Sequence, residues 1–254
     1  MSGGLASVEP DGSLYRLGRQ PDPWAWPDWS YAGPDGTFGN RYDDPEASYR
    51  VLYASSQRIG AFLETLARFR LDLEVLAELE QIEGDDEPPP AVPRAWLNKR
   101  ILGEATVEGR FVDVGDTGSL ATLRTALAAS AIRYGLDEID AATIRLRAPR
   151  VFTQHVSRFV YEQRDDRGAF AGIRYRSRLG DDVLNWAIFE PAPDAPSLFV
   201  ATTSTANRSG RRGLASGARL ARSCARLRSV VAALVTSHVG DIRCHQVSPP
   251  TAAA

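Results

Sequence analysis

The sequence predicts an α+β domain, because strand-like and helix-like segments alternate irregularly along its 254 residues. A doubly wound α/β sheet would instead show a regular alternation of the two. The length fits one large domain, with or without appendages, and is sufficient to bury a substantial core. The strand-like segments are 14–17, 50–54, two within 99–114, 172–177 and 185–190, and the helix-like segments are 55–70, 72–83, 117–134 and 150–163.

An aromatic loop is predicted between the first two strands. Residues 21–44 contain six aromatic side chains among prolines and glycines, a composition that excludes a long regular element. After the second strand, Ser55 or Ser56 is expected to cap a helix that continues to about Arg70.

This helix has two different sides. The apolar stripe consists of Ile59, Phe62, Leu63, Leu66 and Phe69. Glu64 lies roughly 160° from the centre of that stripe at 100° per residue. Gly60 and Ala67 share its side, and such small residues would let a ligand or a strand approach closely.

The middle of the chain is predicted from its turn residues. An acidic and proline-rich stretch at 84–93 breaks the helical pattern and indicates a surface linker. The two strands within 99–114 flank Glu108-Gly109, which favours a hairpin. Pro149 stands just before the last predicted helix, as is common at a helix start.

The composition limits the class of protein. No apolar run approaches the roughly 20 residues that a membrane-spanning helix needs. The first residues lack the basic and apolar regions of a secretory signal, so we expect a cytoplasmic protein that contacts no membrane. Cys224 and Cys244 are too few for a disulfide framework or a cysteine-rich metal site.

The net charge of −2 is unevenly distributed. From Ala201 onward eight arginines and one acid give +7, which leaves −9 for residues 1–200. Phosphate contacts need positive potential, so we expect no direct binding of nucleic acid by this acidic body. The basic tail at 201–254 fits a frayed helix, a disordered appendage or a sequence shifted out of its ancestral reading frame.

Three short segments contain the functional signal. They are Gly39-Asn40-Arg41-Tyr42, then Val51-Leu52-Tyr53-Ala54 with Glu64 eleven residues after Tyr53, and Gly172-Ile173-Arg174-Tyr175-Arg176-Ser177. As an ordered set they resemble the RES-domain family, named for its arginine, glutamate and serine. The segment Asn185-Trp186-Ala187-Ile188-Phe189-Glu190 is similar to that family's closing strand. The resemblance covers about residues 14–190 and is poor at 84–148.

The resemblance implies a fold, an activity and a partner. The fold would be an ADP-ribosyltransferase-like core of mixed, largely antiparallel sheets with flanking helices, over residues 12–200. The activity would be destruction or transfer of NAD, with NAD as substrate, no resident cofactor and no metal. Family members act as toxins of RES–Xre toxin–antitoxin pairs, so an Xre-type antitoxin is the expected protein partner.

Each motif residue has an implied role. Cleavage of the nicotinamide–ribose bond passes through an oxocarbenium-like transition state, which a carboxylate such as Glu64 stabilises. Arg41 would bind the pyrophosphate, and Arg16, which matches an arginine on the family's first strand, would supply a second contact. Tyr53 would stack on a ring or contact the ribose. Ser177 would either bond a ribose hydroxyl or brace the glutamate.

The sequence departs from the family pattern next to Arg41. An asparagine is inserted before the arginine, and Asp43-Asp44-Pro45 stands where Asn-Pro-Pro is common. These acids could pair with Arg41 and compete with an anionic ligand. Two other functions stay open: a catalytically inactive RES-like binding module, which Glu64 turned to solvent would favour, and a protein-modifying ADP-ribosyltransferase. The sequence does not separate water, phosphate and protein as the acceptor.

Overall fold

The structure is a computed structural model that describes residues 4–70, 73–74, 92–146 and 149–205. The chain divides into two compact units, Met1–Ala67 with Val92–Arg208, and Arg68–Ala91 with Ser209–Ala254. Most of the predicted helix at 72–83, most of the linker at 84–93 and the tail beyond residue 205 lie outside the described residues. Within the described ranges, no helix has both the length and the hydropathy to cross a membrane.

The described elements follow one another irregularly. The strands are β1 (Ser7–Val8), β2 (Leu14–Arg19), β3 (Val51–Ser55), β4 (Arg100–Val107), β5 (Phe111–Asp113), β6 (Arg164–Asp165), β7 (Gly168–Ala169), β8 (Gly172–Arg176), β9 (Leu184–Phe189) and β10 (Phe199–Thr205). The helices are α1 (Arg58–Leu66), α2 (Arg94–Leu97), α3 (Thr117–Arg133), α4 (Ala141–Arg145) and α5 (Arg150–Glu162), with short 3-10 turns at Trp29–Tyr31 and Ala67–Phe69.

One large sheet organises the fold. Eight strands lie in the order β1-β5-β8-β9-β3-β2-β4-β10, while β6 and β7 form a separate hairpin. Within the large sheet β5 and β8 are parallel, and the other neighbouring pairs are antiparallel. The prediction of an α+β fold with a largely antiparallel sheet and flanking helices is therefore confirmed.

The predicted hairpin within 99–114 is wrong, although both of its strands exist. β4 pairs with β2 and β10, whereas β5 pairs with β1 and β8 near the opposite edge of the sheet. Gly109 lies between the two strands with φ +132°, a backbone conformation that favours glycine. The chain therefore passes at Gly109 from β4, near one edge of the sheet, to β5, near the other edge. Both strands pair with strands that are distant in sequence.

The sheet has an apolar cluster on each face. One cluster joins sheet residues to the helices α3, α4 and α5; its members include Val51, Val112, Leu123, Leu127, Ile144, Phe152, Val156, Val160, Ile173, Tyr175, Ala187 and Phe189. The other joins sheet residues to the aromatic loop; its members include Leu14, Trp24, Leu52, Ala54, Ala105, Phe111, Trp186 and Ile188. The alternation of side chains along β3 and β9 assigns neighbouring residues to opposite clusters.

Helix α1 packs through its small residues. Gly60 and Ala61 are its buried positions, and a Cβ on Gly60 would collide with the Ser55 hydroxyl and lie 2.8 Å from Val183 Cγ1. The expected apolar stripe is only partly buried, and Ile59 is 37% exposed. The expected cap is also wrong, since Gln57 occupies the N-cap position without a capping hydrogen bond from its side chain.

An edge strand follows the last strand that the sequence predicts. β10 pairs with β4 over most of its length, and Phe199 packs against Trp24 and Trp26 with ring centroids 5.3 and 6.2 Å apart. The expected domain boundary at residue 200 therefore falls inside a strand of the sheet.

Candidate active site

Glu64 is turned toward the sheet and held there by two buried polar side chains. The Ser177 hydroxyl donates to Glu64 Oε1 at 2.5 Å, and Asn185 Nδ2 donates to the same oxygen at 2.7 Å. Ser177 and Asn185 are each 1% exposed. Oε2 receives no hydrogen bond from a described residue and is not among the buried unpartnered atoms, so it is at least partly accessible to solvent. The carboxylate thus has one fixed oxygen and one free oxygen.

The start of α1 is tied to the loop that carries Ser177. Gln57 Nε2 donates to the carbonyl of Asp182 at 2.6 Å, and Leu184 N donates to Gln57 Oε1 at 3.3 Å. Ser177 itself follows β8, and its hydroxyl accepts a hydrogen bond from Leu179 N at 2.9 Å. These contacts fix the helix relative to the end of β8, and with it the pairing of Ser177 with Glu64.

Arg41 lies in a loop that is braced from within. The Asp43 carboxylate accepts hydrogen bonds from Asn40 N and Asn40 Nδ2, both at 2.7 Å, and from the Tyr53 hydroxyl at 2.8 Å. The same hydroxyl accepts from Tyr42 N at 2.9 Å. Burial raises the pKa of Asp43, and burial followed by the charge of Asp43 raises the pKa of Tyr53 well above its usual value.

Helix α5 holds the same loop from outside. Arg150 Nη1 donates to the Gly39 carbonyl at 2.5 Å, and Gln154 Nε2 donates to the Asn40 carbonyl at 3.0 Å. Ser157 donates to the Tyr42 carbonyl at 2.6 Å. Gly39 has φ +68°, a conformation that the turn into the loop requires and that glycine adopts without strain.

The Arg41 guanidinium forms no ion pair with a described carboxylate. Its Nη2 donates to the carbonyl oxygens of Arg145 and Leu146, the second at 2.7 Å. Asp43 is bonded within the loop, and Asp44 accepts hydrogen bonds from Ser48 N and from Arg158. The expected competition from these two acids is therefore absent among the described residues.

Tyr175 lies beside Arg41 and interacts electrostatically with Glu64. The Arg41 guanidinium carbon lies 5.7 Å from the centre of the Tyr175 ring, and the ring of Tyr42 packs on Tyr175 at 4.8 Å. Burial raises the pKa of Tyr175 well above its usual value, and the charge of Glu64 is the next largest cause. Tyr175 also lies opposite Asn185 in the pairing of β8 with β9.

The structure brings the predicted residues together to different degrees. Glu64 and Ser177 are in direct contact, and Arg41 lies against the ring of Tyr175, two residues before Ser177 in the chain. Tyr53 contributes its hydroxyl to the Arg41 loop. Arg16 donates to the carbonyls of Pro23 and Tyr53 at 2.8 and 3.0 Å, and burial, with the nearby charge of Arg100, lowers its pKa to about 10.

Two residues of this site were given no role by the sequence. Asn185 and Tyr175 lie within segments that resemble the family, but their roles depend on contacts between β8, β9 and α1. A buried asparagine in an otherwise apolar strand is the signal that could have singled out Asn185. In the part of the chain that the structure describes, no group of three His, Cys, Asp or Glu side chains could hold a metal ion.

Comparison with known proteins identifies the family. No curated protein and no solved structure matches the chain. The family model described as the RES domain matches residues 13–208, which is most of the chain and includes Glu64, Ser177 and the loop with Arg41. The chain belongs to the RES-domain family.

Proposed function

We propose that this chain consumes NAD by cleaving the bond between nicotinamide and ribose. RES domains are known from NAD-related toxin–antitoxin proteins, which gives the class of activity. The observation that supports the specific reaction is the Glu64 carboxylate, with Oε1 fixed by Ser177 and Asn185 and Oε2 free.

Glu64 has the geometry of a preorganised anion. Departure of nicotinamide leaves positive charge on the ribose ring, and a fixed carboxylate stabilises that charge without reorganising during the reaction. Because Ser177 and Asn185 hold one oxygen, the other oxygen stays available to a ribose hydroxyl or to the developing cation. Ser177 acts here as a brace and not as a nucleophile, since its hydroxyl proton is donated to Glu64.

Arg41 is the proposed ligand of the pyrophosphate. Only Nη2 of its guanidinium has a hydrogen-bond partner among the described residues, so Nε and Nη1 remain available for phosphate oxygens. The braces from Asp43, Tyr53 and α5 fix the loop that carries this cation. Arg16 stays a proposed second contact to the ligand.

We further propose that the chain is the toxin of a toxin–antitoxin pair with an Xre-type antitoxin as its protein partner. Co-expression with the neighbouring reading frame tests this partner: rescue of growth supports it, and growth arrest that no neighbour relieves contradicts it. An inactive binding module is less well supported, because Glu64 is braced toward the sheet instead of lying free on the helix surface.

The test of the reaction is a titration of the purified chain with NAD, following free nicotinamide with and without inorganic phosphate. We expect nicotinamide release, and the mass of the second product identifies the acceptor. ADP-ribose indicates water, ADP-ribose 1-phosphate indicates phosphate, and a mass increase on a protein indicates ADP-ribosyl transfer. A chain that binds NAD without releasing nicotinamide under any of these conditions would support the binding module instead.

A further inference from the structure

Two neighbouring tyrosines of the site differ in the state of their hydroxyl groups. Tyr42 and Tyr175 pack ring on ring, and both side chains are buried, at 0% and 7% exposure. The hydroxyl of Tyr42 is fully buried and has no hydrogen-bond partner. The hydroxyl of Tyr175 also donates to no described residue, yet it is not among the buried unpartnered atoms. The small exposed part of Tyr175 therefore includes its hydroxyl.

Tyr175 lies beside Arg41 and near the donors that hold Glu64. The Arg41 guanidinium carbon is 5.7 Å from the centre of the Tyr175 ring, and Asn185, which donates to Glu64, lies opposite Tyr175 in the pairing of β8 with β9. Burial and the charge of Glu64 raise the pKa of Tyr175 well above its usual value, so the phenol keeps its proton at neutral pH. A protonated hydroxyl with no acceptor among the described residues is available to an acceptor atom on a ligand.

We propose that the Tyr175 hydroxyl donates a hydrogen bond to the nicotinamide-side ribose of a dinucleotide bound between Arg41 and Glu64. This inference rests on the proposed function, in which Arg41 binds the pyrophosphate and Glu64 acts at the ribose. The ribose lies between the pyrophosphate and the bond that is cleaved, so a donor between the two side chains meets ribose oxygens. Tyr175 is then a substrate-binding residue, and its position on a central strand gives it a fixed geometry.

The test compares the binding of ADP-ribose and ADP to the wild type and to Tyr175→Phe. The two ligands share adenosine and pyrophosphate, but only ADP-ribose contains the second ribose, and neither has a nicotinamide bond to cleave. Tyr175→Phe should weaken ADP-ribose binding by about 2- to 12-fold, the value of one neutral hydrogen bond, and leave ADP binding unchanged. The ring is retained, so the thermal midpoint should also remain close to that of the wild type.

Tyr31→Phe is the matched control, because Tyr31 is 57% exposed and is not one of the residues of the site. It should leave the affinity for both ligands unchanged. Equal affinity of the wild type and Tyr175→Phe for ADP-ribose would overturn the role of Tyr175 alone, as would an equal loss for ADP and ADP-ribose. A wild-type chain that neither cleaves NAD nor binds ADP-ribose would overturn both the proposed function and this inference.

Discussion

At the scale of single residues, the site depends on how a carboxylate is fixed. A glutamate on a helix surface rotates freely, but Glu64 has one oxygen bonded to two buried donors on the strand side. Side chains held in this way require no reorganisation when charge develops on a ligand. Ser177 is the stronger brace by geometry, since its own hydroxyl is oriented by Leu179 N.

Ser177→Ala separates the two roles that the sequence leaves open for this serine. If Ser177 braces Glu64, the variant should lower kcat for nicotinamide release by roughly 10-fold and leave KM nearly unchanged, because the carboxylate loses one of its two donors. Steady-state kinetics and the thermal midpoint are the measurements. A raised KM with an unchanged kcat would instead indicate that the hydroxyl binds the ribose directly.

At the scale of elements, the Arg41 loop is an irregular segment that a strand and a helix make rigid. Tyr53 on β3 supplies a hydroxyl that both accepts from the loop backbone and donates to Asp43, while α5 bonds three loop carbonyls. Loops that place functional groups commonly depend on a rigid scaffold of this kind. The position of the Arg41 loop therefore depends on hydrogen bonds that the sequence does not reveal.

Tyr53→Phe removes this brace and keeps the aromatic ring. Because Asp43 and Tyr42 N each lose a partner, the free energy of unfolding should fall by about 1–3 kcal/mol. KM for NAD should rise as the Arg41 loop loosens. Chemical denaturation and steady-state kinetics measure the two effects. Unchanged stability together with a loss of NAD affinity would mean that the hydroxyl contacts the ligand.

The elements also explain what the sequence could predict. The helices α3 and α5 are found close to their expected ends. α3 is a long Ala- and Leu-rich segment that Asp116 caps, and α5 has an apolar stripe that follows Pro149. The prediction of a hairpin at Glu108-Gly109 was wrong, because the pairing of a strand depends on residues that are distant in sequence. Gly60 indicated which side of α1 packs closely against its neighbours. Because this residue has no side chain, the helix can approach Ser55 at the end of β3. The family resemblance predicted Glu64 and Ser177 as site residues. Asn185 and Tyr175 could be recognised only from the pairing of β8 with β9 in the structure.

At the scale of the whole molecule, the sheet extends further along the chain than the sequence indicates. β10 has the sequence Phe-Val-Ala-Thr-Thr-Ser-Thr. This sequence lacks the alternation of apolar and polar residues that predicts a strand. It covers β4, whose edge would otherwise be open. The family match also continues to residue 208. The RES domain therefore includes β10.

Two truncations test this boundary. A chain that ends after Arg208 should stay soluble and keep its NAD cleavage, because it retains β10 and the whole family match. A chain that ends after Ser197 should aggregate or melt at a clearly lower temperature, because β4 becomes an exposed edge and Phe199 no longer covers the aromatic loop. Precipitation of the longer chain would show that residues beyond 208 belong to the folded unit.

Stability should also decrease in acid. Hydrogen bonds from Arg50 lower the pKa of Glu190, and hydrogen bonds from Arg110 lower the pKa of Asp165. A carboxylate with a lowered pKa in the folded state stabilises the fold above its ordinary pKa, and that contribution is lost as the pH falls through the lowered value. Asp43 has a raised pKa and opposes the trend.

Urea denaturation between about pH 3 and about pH 7 measures this dependence. The free energy of unfolding should fall below about pH 4.5, the ordinary pKa of a glutamate. Glu190→Gln should make the decline shallower, because it removes one of the linked protonations. If the free energy of unfolding declines equally steeply in this variant, groups other than Glu190 cause the acid sensitivity.

The central claim is that the braced Glu64 carboxylate cleaves NAD, and nicotinamide release by Glu64→Gln tests it most directly. The amide keeps the shape of the side chain and loses its charge, so release should fall at least about 100-fold while the thermal midpoint and NAD binding stay close to those of the wild type. Glu108→Gln, the same change at an exposed turn outside the site, should release nicotinamide at the wild-type rate. Wild-type release by a correctly folded Glu64→Gln variant would contradict the claim.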